Sequence, residues 1–258
     1  MEDRWIGYES MKFEVPVTVV MVDGLVEDGL HHAYPYAMKI LLTLQQPNEH
    51  GLPELPELDS LNDQEEPFLD VWEKQGFLYA GRLTGNGERS IILYGKSESQ
   101  LAELQSTAEQ AFSNYSLEVT RLEEQSPWDY YLEVLVPDVF EIQVMNDYEL
   151  LGQLEENKDS GEVVRRVDHW SYFPTSEAAK AYQEYLEDKG FMIEEVAEQP
   201  DEDGVYLVQF FKDDQPIEIS DTTLPLLQKA LELDGDYDGW ETAVIAKKSR
   251  FLNFLRRN

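Results

Sequence analysis

The chain has 258 residues, with 53 Asp plus Glu against 20 Lys plus Arg, which gives a formal net charge of −33. A surplus of this size repels phosphate, so direct nucleic-acid binding is not expected. The absence of cysteine excludes disulfides, thiolate nucleophiles and cysteine-ligated metals. An apolar share of 42%, with 5 Trp, 14 Tyr and 11 Phe, predicts a folded core, and the length predicts two domains.

We expect a cytoplasmic protein, because the sequence shows no run of 18 apolar residues and no secretory leader. The same observation predicts that the chain has no membrane span.

The sequence of the first half predicts an N-terminal strand. Six further elements follow it in the order strand, helix, strand, strand, helix, strand. Pro16 lies inside the first valine-rich run and favours an edge position for it. The Gly85-Asn86-Gly87 turn predicts a hairpin, and Ser97 with Gln100 predicts a capped helix. The predicted strands and helices are residues 11–23, 37–46, a helix from Asn62 to Gly76 after a loop at 51–60, then 77–84, 89–96, a helix from Ser97 and 115–122.

The second half repeats that order, and Gly190-Phe191 takes the place of Gly76-Phe77. Pro174-Thr175 predicts a helix start, and Gly190 predicts its end. Asn146 to Glu156 predicts a short helix that leads into this half. The predicted elements are strand 161–173, helix 175–190, strands 191–198 and 205–212, a helix about Leu224 and Leu231, and strand 240–247.

This order predicts an α+β fold of two tandem ferredoxin-like α/β sandwiches, since right-handed crossovers place both helices on one face of a four-stranded antiparallel sheet. The first sandwich has the extra N-terminal strand. We expect domains at residues 1–138 and 139–246, followed by a basic tail at 247–258. The sheet face without helices is the expected interaction surface of each domain.

Motifs for catalysis are missing from the sequence, so we expect no enzyme activity and no cofactor or metal. It shows no phosphate-binding glycine loop, nucleophile elbow or zinc helix. His169 follows Asp168 on a predicted strand, but alternation sends Asp168 and Trp170 to one face and His169 to the other. A structural or interface role is therefore favoured for His169 over a general base.

The last twelve residues are basic and amphipathic, unlike the rest of the chain. They could contact the acidic body of the same chain, a second copy in a homo-oligomer, another protein or an anionic membrane. The residues expected to make this contact are Lys247, Lys248, Arg250, Phe251, Phe254, Arg256 and Arg257.

Three segments resemble the RraB family, the regulators of ribonuclease E activity: Arg166 to Phe173, Lys189-Gly190-Phe191 and Gly235 to Thr242. The first half resembles a bacterial domain of unassigned function that is often fused ahead of an RraB domain. The resemblance implies a ferredoxin-like fold and a non-catalytic acidic regulator of messenger RNA decay that binds the basic region of its enzyme.

The favoured function is therefore a regulatory or adaptor protein that binds a basic protein segment, with a ribonuclease as the partner that the resemblance implies. An alternative is a small-molecule sensor or enzyme with a pocket between the domains, using His169 and carboxylates. A third is an acidic protein whose charge serves solubility alone. The expected partner-binding residues, each with a core role as the alternative, are Asp168, His169, Trp170, Tyr237, Asp238 and Trp240.

Overall fold

The computed structural model describes residues 4–245. The chain divides into two units, the first ending at Pro137 and the second beginning at Asp138. The basic residues proposed for tail contacts, from Lys247 to Arg257, lie outside the described residues. No helix within residues 4–245 is long and apolar enough to cross a bilayer.

The first unit is a six-stranded sheet with two helices. Its strands follow the order β1-β2-β4-β5-β3-β6, and all neighbours are antiparallel. The last four strands of that order and the two helices form the predicted ferredoxin-like arrangement. The elements are β1 (Trp5–Lys12), β2 (Val15–Val22), β3 (Tyr36–Thr43), α1 (Leu55–Lys74), β4 (Phe77–Gly85), β5 (Glu88–Gly95), α2 (Leu101–Ala111) and β6 (Ser116–Arg121).

The prediction of a single N-terminal strand at residues 11–23 is wrong, because a turn divides this region between β1 and β2. Phe13 and Glu14 form the turn with φ of 54° and 65°, and neither residue gives the glycine or asparagine signal of such turns. Pro16 pairs with Met11, and β2 lies between β1 and β4 rather than at an edge. The hairpin therefore extends the sheet by two strands.

Helix α1 begins seven residues before the predicted capping box at Asn62, so the predicted loop at 51–60 is wrong from Leu55 onwards. Pro56 lies in the first turn of α1, where proline loses no helical hydrogen bond. Pro67 lies within the helix on its exposed side. Ser97 and Gln100, in contrast, form the predicted capping box ahead of α2.

The second face of the first sheet is covered by residues 124–137, which corrects the prediction of an open face there. Trp128 stacks on Tyr94 with ring centroids 4.1 Å apart, and its indole nitrogen donates to the Tyr34 carbonyl at 2.8 Å. The Tyr131 hydroxyl donates to the Val22 carbonyl, and the Tyr8 hydroxyl donates to the Leu135 carbonyl, both at 2.9 Å. The sequence pattern of this segment gave no regular period from which its packing could be predicted.

The second unit has the predicted four-stranded sheet, in the antiparallel order β10-β7-β9-β8. An additional helix, α3, precedes it and starts at a capping box of Asp138 and Glu141. Its length exceeds the short helix predicted from Asn146. The elements are α3 (Val139–Glu156), β7 (Arg165–Phe173), α4 (Ser176–Asp188), β8 (Met192–Val196), β9 (Tyr206–Asp214), α5 (Ser220–Leu231) and β10 (Asp236–Thr242).

The covering segment of the first unit is expected to contribute strongly to its stability. Replacing the fully buried Trp128 by alanine leaves a cavity, and we expect it to lower the free energy of unfolding by about 3–5 kcal/mol. Leu132 in the same segment is 49% exposed, so Leu132→Ala is the matched control with little effect expected. Urea denaturation of the full chain measures both, and equal losses for the two variants would contradict the assignment.

Candidate functional site

Strand β7 divides its side chains strictly between the two faces of the second sheet. Arg165, Val167, His169, Ser171 and Phe173 are buried, whereas the residues between them are partly or fully exposed. Helices α3, α4 and α5 all contribute to the buried face. The predicted separation of His169 from Asp168 and Trp170 follows from this alternation.

His169 lies inside the core beneath the helices. Its ring stacks on Phe210 at a centroid distance of 5.2 Å, and Nδ1 lies 2.8 Å from the Tyr237 hydroxyl. Burial lowers the pKa of His169 to about 4, although the charges of Asp214 and Asp168 act in the opposite direction. Nε2 has no hydrogen-bond partner among the described residues. The imidazole is therefore neutral near pH 7 and enclosed by core side chains.

Tyr237 and Trp240 of β10 also point into the core. Residues three apart on a regular strand face opposite sides, but the register of β10 shifts between Tyr237 and Gly239. This β-bulge adds one residue, so Tyr237 and Trp240 are both buried on the helix side. Gly239, with φ of 113°, supplies the unusual backbone conformation in the bulge.

A buried carboxylate on α3 organises this side of the core. Asp147 is fully buried, and its Oδ1 accepts hydrogen bonds from Gln143 Nε2 at 2.8 Å and from Trp240 Nε1 at 2.9 Å. Its Oδ2 accepts from the hydroxyls of Ser220 and Thr223 at 2.8 and 2.6 Å. Asp147 therefore ties α3 to α5 and to β10 with four neutral donors.

The sequence interpretation missed Asp147. One of 53 acidic residues carries no distinguishing signal, and its four donors are distant in the sequence or on another turn of its own helix. The one available indication was its position on the inward side of a helix.

The face opposite the helices, which we call the open sheet face, combines apolar and acidic side chains. Trp170 and Tyr172 of β7 lie beside Leu207 and Phe211 of β9, all half-buried. Met192 of β8 pairs with Phe211 and is 52% exposed. The surrounding carboxylates on these strands are Asp168, Glu194, Glu195, Asp213, Asp236, Asp238 and Glu241.

Arg166 is the one cation on the open sheet face among the strand residues that the structure describes. Its guanidinium carbon lies 3.7 Å from the centroid of the Phe211 ring. The same group is paired with Asp168, with Nε to Oδ1 at 2.8 Å, and with Glu194. The face thus already holds a guanidinium group between an aromatic ring and two carboxylates.

The acidic character continues past the end of the strands. Asp238 is exposed and lies with four other aspartates around a depression of 560 Å³. Tyr172 lines the same depression and so connects it to the open sheet face. The other four aspartates are Asp201, Asp203, Asp234 and Asp236.

The six residues predicted to bind a partner therefore separate into two groups. Asp168, Trp170 and Asp238 lie on or beside the open sheet face, where contact with a partner stays a prediction. His169, Tyr237 and Trp240 lie in the core, where their rings pack against other side chains. Within residues 4–245, no group of three or more histidines and carboxylates is arranged to hold a metal ion.

Fold and surface together define a two-unit α+β protein with tandem ferredoxin-like sheets, one of which presents an acidic and aromatic face. The chain belongs to the family of unknown function DUF695, whose model matches residues 3–136. Residues 145–242 match the RraB domain, described as regulator of ribonuclease activity B. The predicted resemblance of both halves is confirmed.

Searches of curated proteins and of solved structures add little to these family matches. No curated protein matches the chain. An unknown protein from Galdieria sulphuraria is 12% identical, covering 81% of this chain and 99% of its own, with a TM-score of 0.23. A putative glycine cleavage system transcriptional repressor is 5% identical, covering 81% of this chain and 98% of its own, also with a TM-score of 0.23. Both likenesses are weak, and neither indicates a function.

The four hydrogen bonds to Asp147 predict that removing its side chain lowers the free energy of unfolding strongly. Asp147→Ala leaves four buried donors without their acceptor, and we expect a loss of about 3 kcal/mol or more in the free energy of unfolding. Asp147→Asn keeps the shape and one acceptor oxygen, while the hydroxyls of Ser220 and Thr223 can reorient to accept, so about 1 kcal/mol is expected. Chemical denaturation that ranks the two variants in the opposite order would contradict the network.

The burial of His169 predicts a contribution to acid unfolding. Its pKa falls from 6.5 to about 4 on folding, so the unfolded chain binds the proton more tightly. The stability from the neutral ring is complete above pH 6.5 and is lost as the pH falls towards 4, by about 3 kcal/mol in total. His169→Gln lacks this titration. The difference in unfolding free energy between wild type and variant should therefore shrink across that range, and a constant difference would show that His169 does not titrate with folding.

Proposed function

We propose that this protein is a non-catalytic cytoplasmic regulator that binds a basic segment of another protein through the open sheet face of its RraB domain. The observation that carries the proposal is the position of Arg166 on Phe211 between Asp168 and Glu194. It supports the proposal, because a guanidinium group of the chain itself already lies on an aromatic ring of this face between two carboxylates. Trp170 and Tyr172 extend the same aromatic surface along β7.

The charge of the chain supports a cationic partner. Carboxylates surround the aromatic row, and the net charge of −33 adds a long-range attraction that increases the rate of association. Aromatic side chains at the centre would supply affinity, since such residues dominate binding energy when a partner excludes water from them.

The family description supports the class of target. A regulator of ribonuclease activity must act on an enzyme whose own surface binds RNA, and segments that bind RNA are basic. An acidic face can compete with RNA for such a segment. We therefore propose an RNA-decay enzyme of the ribonuclease E type as the target, with its basic regulatory region as the segment bound.

The aromatic centre of the open sheet face can be tested by one substitution. Trp170→Ala should weaken binding of the purified basic region of a ribonuclease E-type enzyme by about tenfold or more, measured by calorimetry. Tyr148 on α3 is 61% exposed, so Tyr148→Ala removes an exposed aromatic side chain from the helix side of the same unit and is the control. Unchanged binding by the Trp170 variant, or equal loss in both, would contradict the proposed face.

The contribution of charge to partner binding has a separate test. Raising the ionic strength from about 0.05 to 0.3 M shortens the screening length from about 14 to 6 Å, so the affinity should fall strongly. An affinity that is independent of salt would contradict recruitment by charge.

A further inference from the structure

The first unit carries a groove on the helix side of its sheet, where the β1–β2 hairpin extends beyond α1. Two adjoining cavities of 520 and 330 Å³ form the groove, and Trp5 and Leu69 line both. Val20, Val22 and Tyr79 complete its apolar floor. Trp5 is 40% exposed, and its ring centroid lies 5.4 Å from that of Tyr79.

One wall of the groove is a row of carboxylates on α1. Glu66, Asp70 and Glu73 follow the spacing i, i+4 and i+7, which places them on one face of the helix, and all three are exposed. Among residues 4–245, no Lys, Arg or His forms an ion pair with any of them. The row therefore presents three carboxylates that these pairs do not neutralise.

The two cations of the groove are already neutralised. Arg4 is paired with Asp28, and Arg82 donates to Glu65 Oε1 at 3.0 Å. The fully buried Glu65 also accepts from Arg89 and from the Tyr79 hydroxyl. These bonds tie α1 to β4 and β5, so the carboxylate wall stands at a fixed distance from the apolar floor.

We propose that this groove binds an extended basic segment of a partner protein in which cationic and apolar residues alternate. Along the helix axis, the carboxylates are about 6 and 4.5 Å apart at 1.5 Å per residue. Alternate side chains of an extended peptide are about 6.5–7 Å apart, and long arginine side chains can span the difference of up to about 2.5 Å to successive carboxylates. The intervening side chains point away from α1, towards Trp5 and Val20 of the β1–β2 hairpin. This site belongs to the DUF695 unit and does not depend on the open sheet face.

The test uses the full chain with the additional substitution Trp170→Ala, which weakens binding at the open sheet face and removes its tryptophan. Trp72, Trp128 and Trp240 are buried, so Trp5 becomes the one tryptophan exposed to quenching in residues 4–245. The probe is the peptide Arg-Leu-Arg-Leu-Arg-Leu-Arg. It should alter Trp5 emission at low salt, and Glu66→Gln, Asp70→Asn and Glu73→Gln together should weaken its binding by about tenfold.

The matched control neutralises three other exposed carboxylates of the same unit, with Glu103→Gln, Glu109→Gln and Glu118→Gln. It makes the same change in net charge, and we expect it to weaken binding by less than about twofold. If both triple variants lost the same affinity for the peptide, the attraction would be non-specific and the proposed groove would be wrong. If the peptide Arg-Ser-Arg-Ser-Arg-Ser-Arg bound as tightly as the leucine peptide, the apolar floor would not contribute to binding and the proposal would be contradicted. Deletion of residues 247–258 tests whether the chain's own basic segment occupies the groove. A rise in peptide affinity of about tenfold would show that this segment competes for the groove, and it would contradict a partner protein as the ligand.

Discussion

The alternation of side chains along β7 is the constraint on which the proposed binding surface depends. Because every second residue of this strand is fixed in the core, the residues between them must form the opposite face. On the core side, His169 bonds to Tyr237, and Asp147 accepts four hydrogen bonds, including one from Trp240. The face proposed to bind a partner is therefore formed by Trp170, Tyr172 and the carboxylates around them.

The two units use one topology to make different surfaces. In the first unit, residues 124–137 cover the sheet face that is open in the second, and Trp128 seals it by stacking on Tyr94. An added hairpin then creates a groove on the helix side instead. Both surfaces combine exposed aromatic side chains with carboxylates, which is the combination expected for ligands that carry cationic and apolar groups together.

Much of the fold could be predicted from the sequence, because the order of strands and helices and the rule of right-handed crossovers leave few topologies. The errors occurred where a local signal was missing. Phe13 and Glu14 form a turn without glycine or asparagine, and Pro56 lies in the first turn of a helix in a segment predicted as a loop. In β10, the bulge at Asp238 and Gly239 places both Tyr237 and Trp240 in the core, and a sequence pattern does not reveal an inserted residue. Asp147 could not be identified because its partners meet only in three dimensions.

The most direct test of the account is a two-dimensional NMR spectrum of the five indole N–H groups, recorded during titration with an arginine-rich peptide and assigned through single Trp→Phe variants. The signals of Trp170 and Trp5 should shift, because both side chains are accessible and lie on acidic surfaces. Those of Trp72, Trp128 and Trp240 should stay in place, because they are buried. A titration that leaves Trp170 unchanged while the peptide binds would contradict the central claim that the open sheet face recruits a basic partner.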